Sequence, residues 1–482
     1  MGAAESPPPT RTGARGKGGE TGKNKAALAF LGVIVAAYLG VGVLYAVYTP
    51  SWQAPDEPAH YNYVAQVTGE GCCPVIAPGD WDAAYLDALK AAQFPEDADL
   101  SPIEYEDHQP PLYYLLASPI YRATGGSLLA LRLFSVTLGA GVVTVAYLAG
   151  VRLLPRRQPL ALAAAAFVAF IPQHVAMLAS VNNDSLAELI MGILLVAVLA
   201  YLGNPVTART SGEESALPDP LRPHPATLGL TIGLAFLTKL TVYSPAVLAV
   251  AVAVLLRWRL ERRSARWLLT QAVWAGIPAL ALGALWWGRN VAVYGWPDFL
   301  GQTAHASTVV GQLRTTELVA QIGVGSYLAR FLLWTYRSFW GQFGWMAVPM
   351  SQPVYLLIGL FLLSDAAGLV WLLVAFRLRP RLHLSRRAGL WVLAVVGLAT
   401  LVNYLYYNLT FVQFQGRYLY TALIPLGLLV AASLRGWASL AGAYLRDRHW
   451  PQALDWFPLA AMAWLPLLAV YALFRFVIPY LG

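Results

Sequence analysis

Directly after its first long apolar stretch the chain reads "PDEPAHY", which puts Asp56, Glu57 and His60 within one helical turn. At four and three positions beyond the two acids, His60 shares their face of a helix. A carboxylate at a water–lipid boundary, partly desolvated and beside a second carboxylate, can take the proton of an incoming hydroxyl or amine. Asp56 is the expected general base, with Glu57 or His60 orienting it or binding the acceptor. The structural alternative is that acids followed by Pro58 open a helix well, with Glu57 near the cap and Asp56 at the positive end of the helix dipole. That alternative leaves His60 without a role. A metal held by these three ranks lower, because the two acids are neighbours and point apart.

The second constellation is "YEDHQPPLYYLL", carrying Asp107 and His108. This segment must re-enter the membrane near the point where "PDEPAH" leaves it, so the two acid–histidine groups are expected to converge. In "SVNNDSLAEL", Asn183 and Asp184 occupy a short turn before an apolar stretch. Asp184 reads either as a helix cap or, with Asn183, as a hydrogen-bonding contact for sugar or acceptor. Lys239, Arg289 and Arg417 stand at outer helix ends, where snorkelling to the interface is the plain explanation. Facing an acidic loop together, they are instead expected to bind the phosphate of a membrane-embedded lipid and to stabilise it as a leaving group. Arg330 and Arg337 are weaker choices, and Asp365, near the middle of an apolar stretch, lies at the wrong depth for the same centre.

The elements that must position these residues follow from composition. The 482 residues are 58% hydrophobic and 12% charged, with a mean hydropathy of +0.54. A soluble domain is about 25% charged, so the chain has too little polar surface to wrap a globule. Stretches of ~20 apolar residues fall at 26–48, 128–150, 159–178, 185–203, 226–242, 244–257, 267–287, 354–376, 389–409, 418–436 and 456–480. The expected fold is an all-α, polytopic membrane protein of about eleven transmembrane helices. The segment 319–340 is either a twelfth span or a helix on the membrane surface. The net charge of +8 is topological rather than a nucleic-acid footprint: every second loop is basic, as the positive-inside rule requires. The N-terminus is then cytoplasmic, in a cell (plasma) membrane, and the chemistry faces outward.

Residues 1–25 read as a disordered cytoplasmic tail, and 26–482 as the membrane domain. Residues 49–127 form a long external loop holding 12 of the 25 acidic residues against Lys90 and Arg122 alone. Its apolar residues at helical spacing predict helices lying along the membrane. A second external region, 288–353, is dense in aromatics that anchor at the interface or grip a sugar or isoprenoid. "GNPVTARTSGEESALPDPLRPHP" reads as a cytoplasmic linker. No P-loop or HExxH motif occurs, and two glycine-rich fragments lack the strand–helix context of a dinucleotide site. Adjacent Cys72 and Cys73 are either a vicinal disulfide or two thiols, and supply no metal or redox spacing.

"DEPAHY" and "QPPLYY", with Asn-Asp, "LTK" and "GRY" at outer helix ends, resemble the GT-C superfamily of polytopic glycosyltransferases over about residues 26–440. That superfamily includes protein O-mannosyltransferases and bacterial aminoarabinose transferases. The likeness is greatest to a bacterial branch bearing "PDEPAH" and "QPPLYY" whose substrates are poorly defined. The resemblance implies a polyprenyl-phosphate sugar donor and an acceptor that is a protein, lipid or polysaccharide. It implies Asp56 as base or acceptor binder with Glu57 beside it, and inversion by single displacement. Lys239, Arg289 and Arg417 would hold the leaving phosphate in place of a metal, so no cofactor is expected. The mannosyltransferases carry His-Pro-Pro where Gln109 here separates His108 from Pro110. A transporter or flippase of lipid-linked sugars, or a non-catalytic envelope scaffold, are the rival readings; the first calls for an inverted repeat, and none is evident.

Overall fold

A computed structural model describes residues 15–203, 222–377, 384–444 and 451–482. Most of the linker at 203–225, part of the basic loop at 377–387, and Arg446 and Arg448 lie outside them, as do residues 1–14 of the expected tail. The remainder of that tail differs from expectation: α1 is helical from Arg15 to Tyr48. Ten of the described helices are long and apolar enough to cross a membrane, or eleven if one bent pair counts as a single span. The chain is a multi-pass, all-α membrane protein.

After α1 comes a layer of shorter helices, α2 (Glu57–Gly69), α3 (Ala83–Ala91) and α4 (Leu112–Thr124). This 49–127 layer is folded, as the helical spacing predicted. Ala59, Ile76, Leu86, Leu89, Phe94, Ile103 and Tyr105 form its own small core with Val309. The Tyr63 and Tyr114 rings stack at 3.6 Å, fastening α2 to α4. α5 (Leu128–Leu153) then crosses back.

The expected span 159–178 is broken. α6 (Gln158–Phe170) and α7 (Pro172–Leu178) meet at a bend of 68°. The cause is Pro172, which excludes the helical conformation at the residue before it; Ile171 is extended, at φ −64° and ψ 121°. α6 is buried on every side from Leu160 to Phe170, and α1, α5 and α16 (Leu423–Tyr444) pack around it. Its alanines admit that close approach. The bend sends α7 toward the face that carries residues 49–127, hereafter the loop face.

The elements that follow are α8 (Asp184–Tyr201), α9 (Pro225–Phe236), α10 (Tyr243–Leu260), α11 (Ala265–Tyr294), α12 (Gln302–Thr308), α13 (Thr315–Trp340), α14 (Gln352–Arg377) and α15 (Leu384–Thr410), and after α16 the apolar helical stretch Phe457–Leu481. The expected span 226–242 stops early, at Phe236, and a turn carrying Lys239 joins it to α10. α13, which holds the segment 319–340, is one of those ten helices. Arg314, before its start, pairs with Phe411, and Trp345, past its end, donates Nε1 to the Trp52 carbonyl at 3.0 Å. Phe411 and Trp52 flank the two halves of one ion pair on the loop face (below), so both ends of α13 belong to that face. The helix is kinked at Gly323 (φ 76°). The aromatic segment after it forms a two-residue hairpin, Gln342–Phe343 against Val348–Pro349.

Candidate functional site

Asp56 precedes α2 in the left-handed region, at φ 67° and ψ −2°, and its side chain makes no cap hydrogen bond. Acidic side chains are among the few that tolerate this conformation. The turn throws the neighbouring carboxylates in opposite directions. Asp56 Oδ2 accepts from Arg417 Nη2 at 2.5 Å, and Oδ1 accepts from the Tyr105 hydroxyl at 2.9 Å. Burial alone would raise the Asp56 carboxyl. The charge of Arg417, with His60 and the bonds from Arg417 and Tyr105, outweighs it and holds the group at about 2.

Glu57 goes the other way. It is fully buried and takes a two-pronged ion pair from Arg132, Nε to Oε1 at 2.8 Å and Nη2 to Oε2 at 2.6 Å. The backbone N–H of Val181 adds a third bond at 3.1 Å and that of Trp52 a fourth at 3.2 Å. Arg132 also reaches the carbonyls of Ala46, Thr49 and Pro50. The pair therefore clamps the end of α1, the start of α2 and the turn before α8. Expected beside Asp56 at the reacting centre, Glu57 is bound instead to Arg132 and to the backbone N–H groups of Val181 and Trp52. Arg132 was missed by the sequence reading, although an arginine five residues into a span's loop-face end has the same signature as Arg289.

Three further segments arrive beside Asp56. The "QPPLYY" segment binds the α9 turn through the Leu112 N–H to the Leu237 carbonyl at 2.8 Å. It brings Tyr114, whose hydroxyl lies 2.8 Å from His60 Nδ1 and 3.4 Å from Asn183 Nδ2. His60 is 2% exposed. Burial first, then the charge of Lys239, lowers it to about 3 despite the opposing carboxylates of Asp56 and Asp184. It is neutral at physiological pH. Lys239 Nζ pairs with Asp184 Oδ1 at 2.6 Å. Asn183 is buried, its amide near Gln109 and Thr238 and its Oδ1 without a partner.

Arg417 follows a glycine whose surroundings leave no room for a side chain. A Cβ at Gly416 would sit 2.4 Å from the Thr335 carbonyl oxygen and 2.5 Å from the Phe339 nitrogen of α13. That contact seats Arg417 so that it reaches Asp56, Gln415 Oε1 at 2.7 Å and Met177 of α7. A second acid faces the cluster. Burial, then the charge of Asp56, raises Glu106 to about 8, and its buried Oε2 has no hydrogen-bond partner. Glu106 and Tyr105 were legible only as part of an acidic run.

Two sequence-predicted residues lie aside, and a third is engaged elsewhere. His108 packs on His305 of α12, ring centres 4.0 Å apart, and its Nδ1 contacts the Tyr105 carbonyl at 3.1 Å. Burial depresses it well below the usual histidine range. Asp107 faces Gln66, Asp80 and Glu104. Arg289 bonds the carbonyls of Cys73 and Pro74 and packs over Trp286 and Tyr294. It anchors the outer segment that holds the Cys72–Cys73 disulfide.

No protein-family model and no curated protein sequence matches the chain. Among solved structures, the apo form of ArnT from Cupriavidus metallidurans is similar at a TM-score of 0.50 and 18% identity, over 95% of this chain and 74% of that one. The same enzyme bound to undecaprenyl phosphate gives 0.46 and 16%, over 94% and 73%. The Archaeoglobus fulgidus oligosaccharyltransferase in complex with Zn and sulfate gives 0.46 and 13%, over 91% of this chain and 52% of that one. The apo ArnT match shows a fold shared with that protein, as the motifs implied.

Proposed function

We propose that this chain is a membrane glycosyltransferase that moves a sugar from a polyprenyl-phosphate donor to an acceptor on the extracytoplasmic face. One observation carries the reading. On a GT-C fold, Asp56, His60, Asp184, Lys239 and Arg417 come from four separate segments into one polar cluster at the loop face. In the reaction, the acceptor O–H or N–H gives its proton to the Asp56 carboxylate. The acceptor atom bonds the anomeric carbon as that carbon's bond to the phosphate oxygen breaks, and a single displacement inverts the centre. Arg417 and Lys239 hold the departing lipid phosphate.

Both cations begin neutralised, Arg417 by Asp56 and Lys239 by Asp184. A carboxyl held at about 2 is a poor base at neutral pH. A donor phosphate competes for the Arg417 guanidinium. When Arg417 turns to it, burial becomes the dominant influence on Asp56 and its basicity rises. Donor binding thus arms the base. Arg289, the third cation of the sequence expectation, is engaged by backbone carbonyls and takes a place in shaping the loop layer. The test is transfer by purified protein in liposomes supplied with a panel of undecaprenyl-phosphate sugars labelled in the sugar. Asp56→Asn is expected to fold and to lose transfer. A folded variant with wild-type turnover removes Asp56 as the base.

A further inference from the structure

We infer that Asp80, Glu104 and Asp107 form a site for one divalent cation of the Ca2+ class, which fixes the turn that presents Tyr105 to Asp56. Each of the three offers one carboxylate oxygen, and these oxygens all lie within 4.8 Å of one another. An acidic cluster on a solvated surface would mean little. This one is set into the loop layer, with Asp107 only 1% exposed. Asp107 Oδ2 accepts from Gln66 Nε2 at 2.9 Å, while Oδ1 is buried and has no hydrogen-bond partner. A buried acceptor left unmet is costly, more so when charged, and a cation among the three carboxylates would meet it.

The described residues supply no substitute charge. Among the described residues no lysine or arginine pairs with the three acids. Of the two cations in the 49–127 layer, Lys90 pairs with Asp87 at 2.6 Å, and Arg122 donates to the Thr68 carbonyl at 3.0 Å. The backbone around the cluster is already built. The Asp80 Oδ2 accepts from the Ala77 N–H at 2.6 Å. Glu104 donates its N–H to the Asp80 carbonyl at 3.1 Å, and Asp107 donates its own to the Glu104 carbonyl at 3.0 Å. All three side chains offer oxygen, without imidazole or thiolate, which selects a hard cation over zinc. Asp80 and Glu104 are half-buried, which leaves room for coordinating water, as Ca2+ sites commonly have.

The location gives the ion its purpose. Glu104 and Asp107 bracket Tyr105, which donates to Asp56, and Glu106, which faces the cations. An ion joining Glu104 and Asp107 to Asp80 ties that turn to the loop before α3. The inference concerns binding and stands whether or not the chain transfers sugar.

The experiment uses the full chain in detergent, stripped with chelator and titrated with CaCl2 by calorimetry. One ion per chain is expected, with a dissociation constant on the order of 10⁻⁴–10⁻³ M, as in extracellular sites of few carboxylates. Asp80→Asn and Glu104→Gln are each expected to weaken it at least tenfold, while Asp87→Asn leaves it unchanged. Should both ligand variants misfold, Tb3+ luminescence of the wild-type chain, excited through tryptophan, decides: emission sensitised by neighbouring Trp81 is expected to be competed away by Ca2+ and to fall in Trp81→Phe. No binding by the wild-type chain up to millimolar Ca2+, binding of Zn2+ but not Ca2+, wild-type affinity in folded ligand variants, or Tb3+ emission indifferent to Ca2+ or to Trp81→Phe would each overturn it.

Discussion

Removing the charge of Asp56 should do two things, the second of which the loss of a simple base would not do. Asp56→Asn abolishes transfer, and it also tightens the binding of undecaprenyl phosphate. The reason is that Arg417 is held by Asp56 before any donor arrives. Two unit charges about 4 Å apart interact by roughly 4 kcal/mol at an effective dielectric constant of 20. The Asp56 side chain is 23% exposed and that of Arg417 7%, so solvent screening and the hydration regained by a released carboxylate reduce this. About 1–2 kcal/mol is left as the penalty a phosphate meets, which corresponds to roughly 5–30-fold in affinity. Asparagine keeps an oxygen for the guanidinium but not the charge. The assay is native mass spectrometry or scintillation proximity with undecaprenyl phosphate, alongside transfer measurements; loss of a general base lowers turnover by about 10²–10⁴. Equal or weaker lipid affinity in a folded Asp56→Asn protein refutes the competition between carboxylate and phosphate for Arg417.

Three other outcomes follow from the same geometry. Glu57→Gln leaves Arg132 buried without a countercharge, which costs about 3–5 kcal/mol; thermal unfolding in detergent should show a large loss that Asp56→Asn lacks, and equal melting of the two would place Glu57 outside the framework. Arg289→Met frees the carbonyls of Cys73 and Pro74, so hydrogen exchange across residues 71–76 should rise while lipid-phosphate affinity stays within about twofold; a tenfold loss of affinity (1.4 kcal/mol) would return Arg289 to the phosphate site. Glu106 is raised to about 8 in the folded chain, so wild type loses stability as pH climbs from the ordinary glutamate range to that value, because the unfolded chain ionises first. The melting temperature of Glu106→Gln should exceed that of wild type by a margin that widens between about pH 5 and 8 and then levels off; a margin independent of pH contradicts the assignment.

The sequence exposed the kinds of residue at the site more readily than their partners. Asp56, His60, Asp184, Lys239 and Arg417 stand out because polar side chains at the ends of apolar stretches are costly, and each of them is found in or beside the cluster. Their pairing depends on tertiary contacts such as Asp56 with Arg417, 361 residues apart, which no local pattern encodes. Asp56 and Glu57 look alike in sequence, yet one left-handed residue sends them to different partners, Arg417 and Arg132. Arg289 and Arg132 look alike as well: the first is spent on loop carbonyls, and the second on Glu57. The bend before α7 was announced by Pro172 but was hidden by the continuous apolar run around it. The apolar stretches themselves, set by bilayer thickness, were plain.

The central claim is that a lipid phosphate sits between Arg417 and Lys239 and draws Arg417 away from Asp56. A structure of the chain in nanodiscs with undecaprenyl phosphate measures this directly. The account predicts phosphate oxygens within hydrogen-bonding distance of both cations, on the loop face, with the Asp56–Arg417 bond of 2.5 Å broken. Phosphate on the opposite face, or bound elsewhere while that ion pair remains closed, would contradict it.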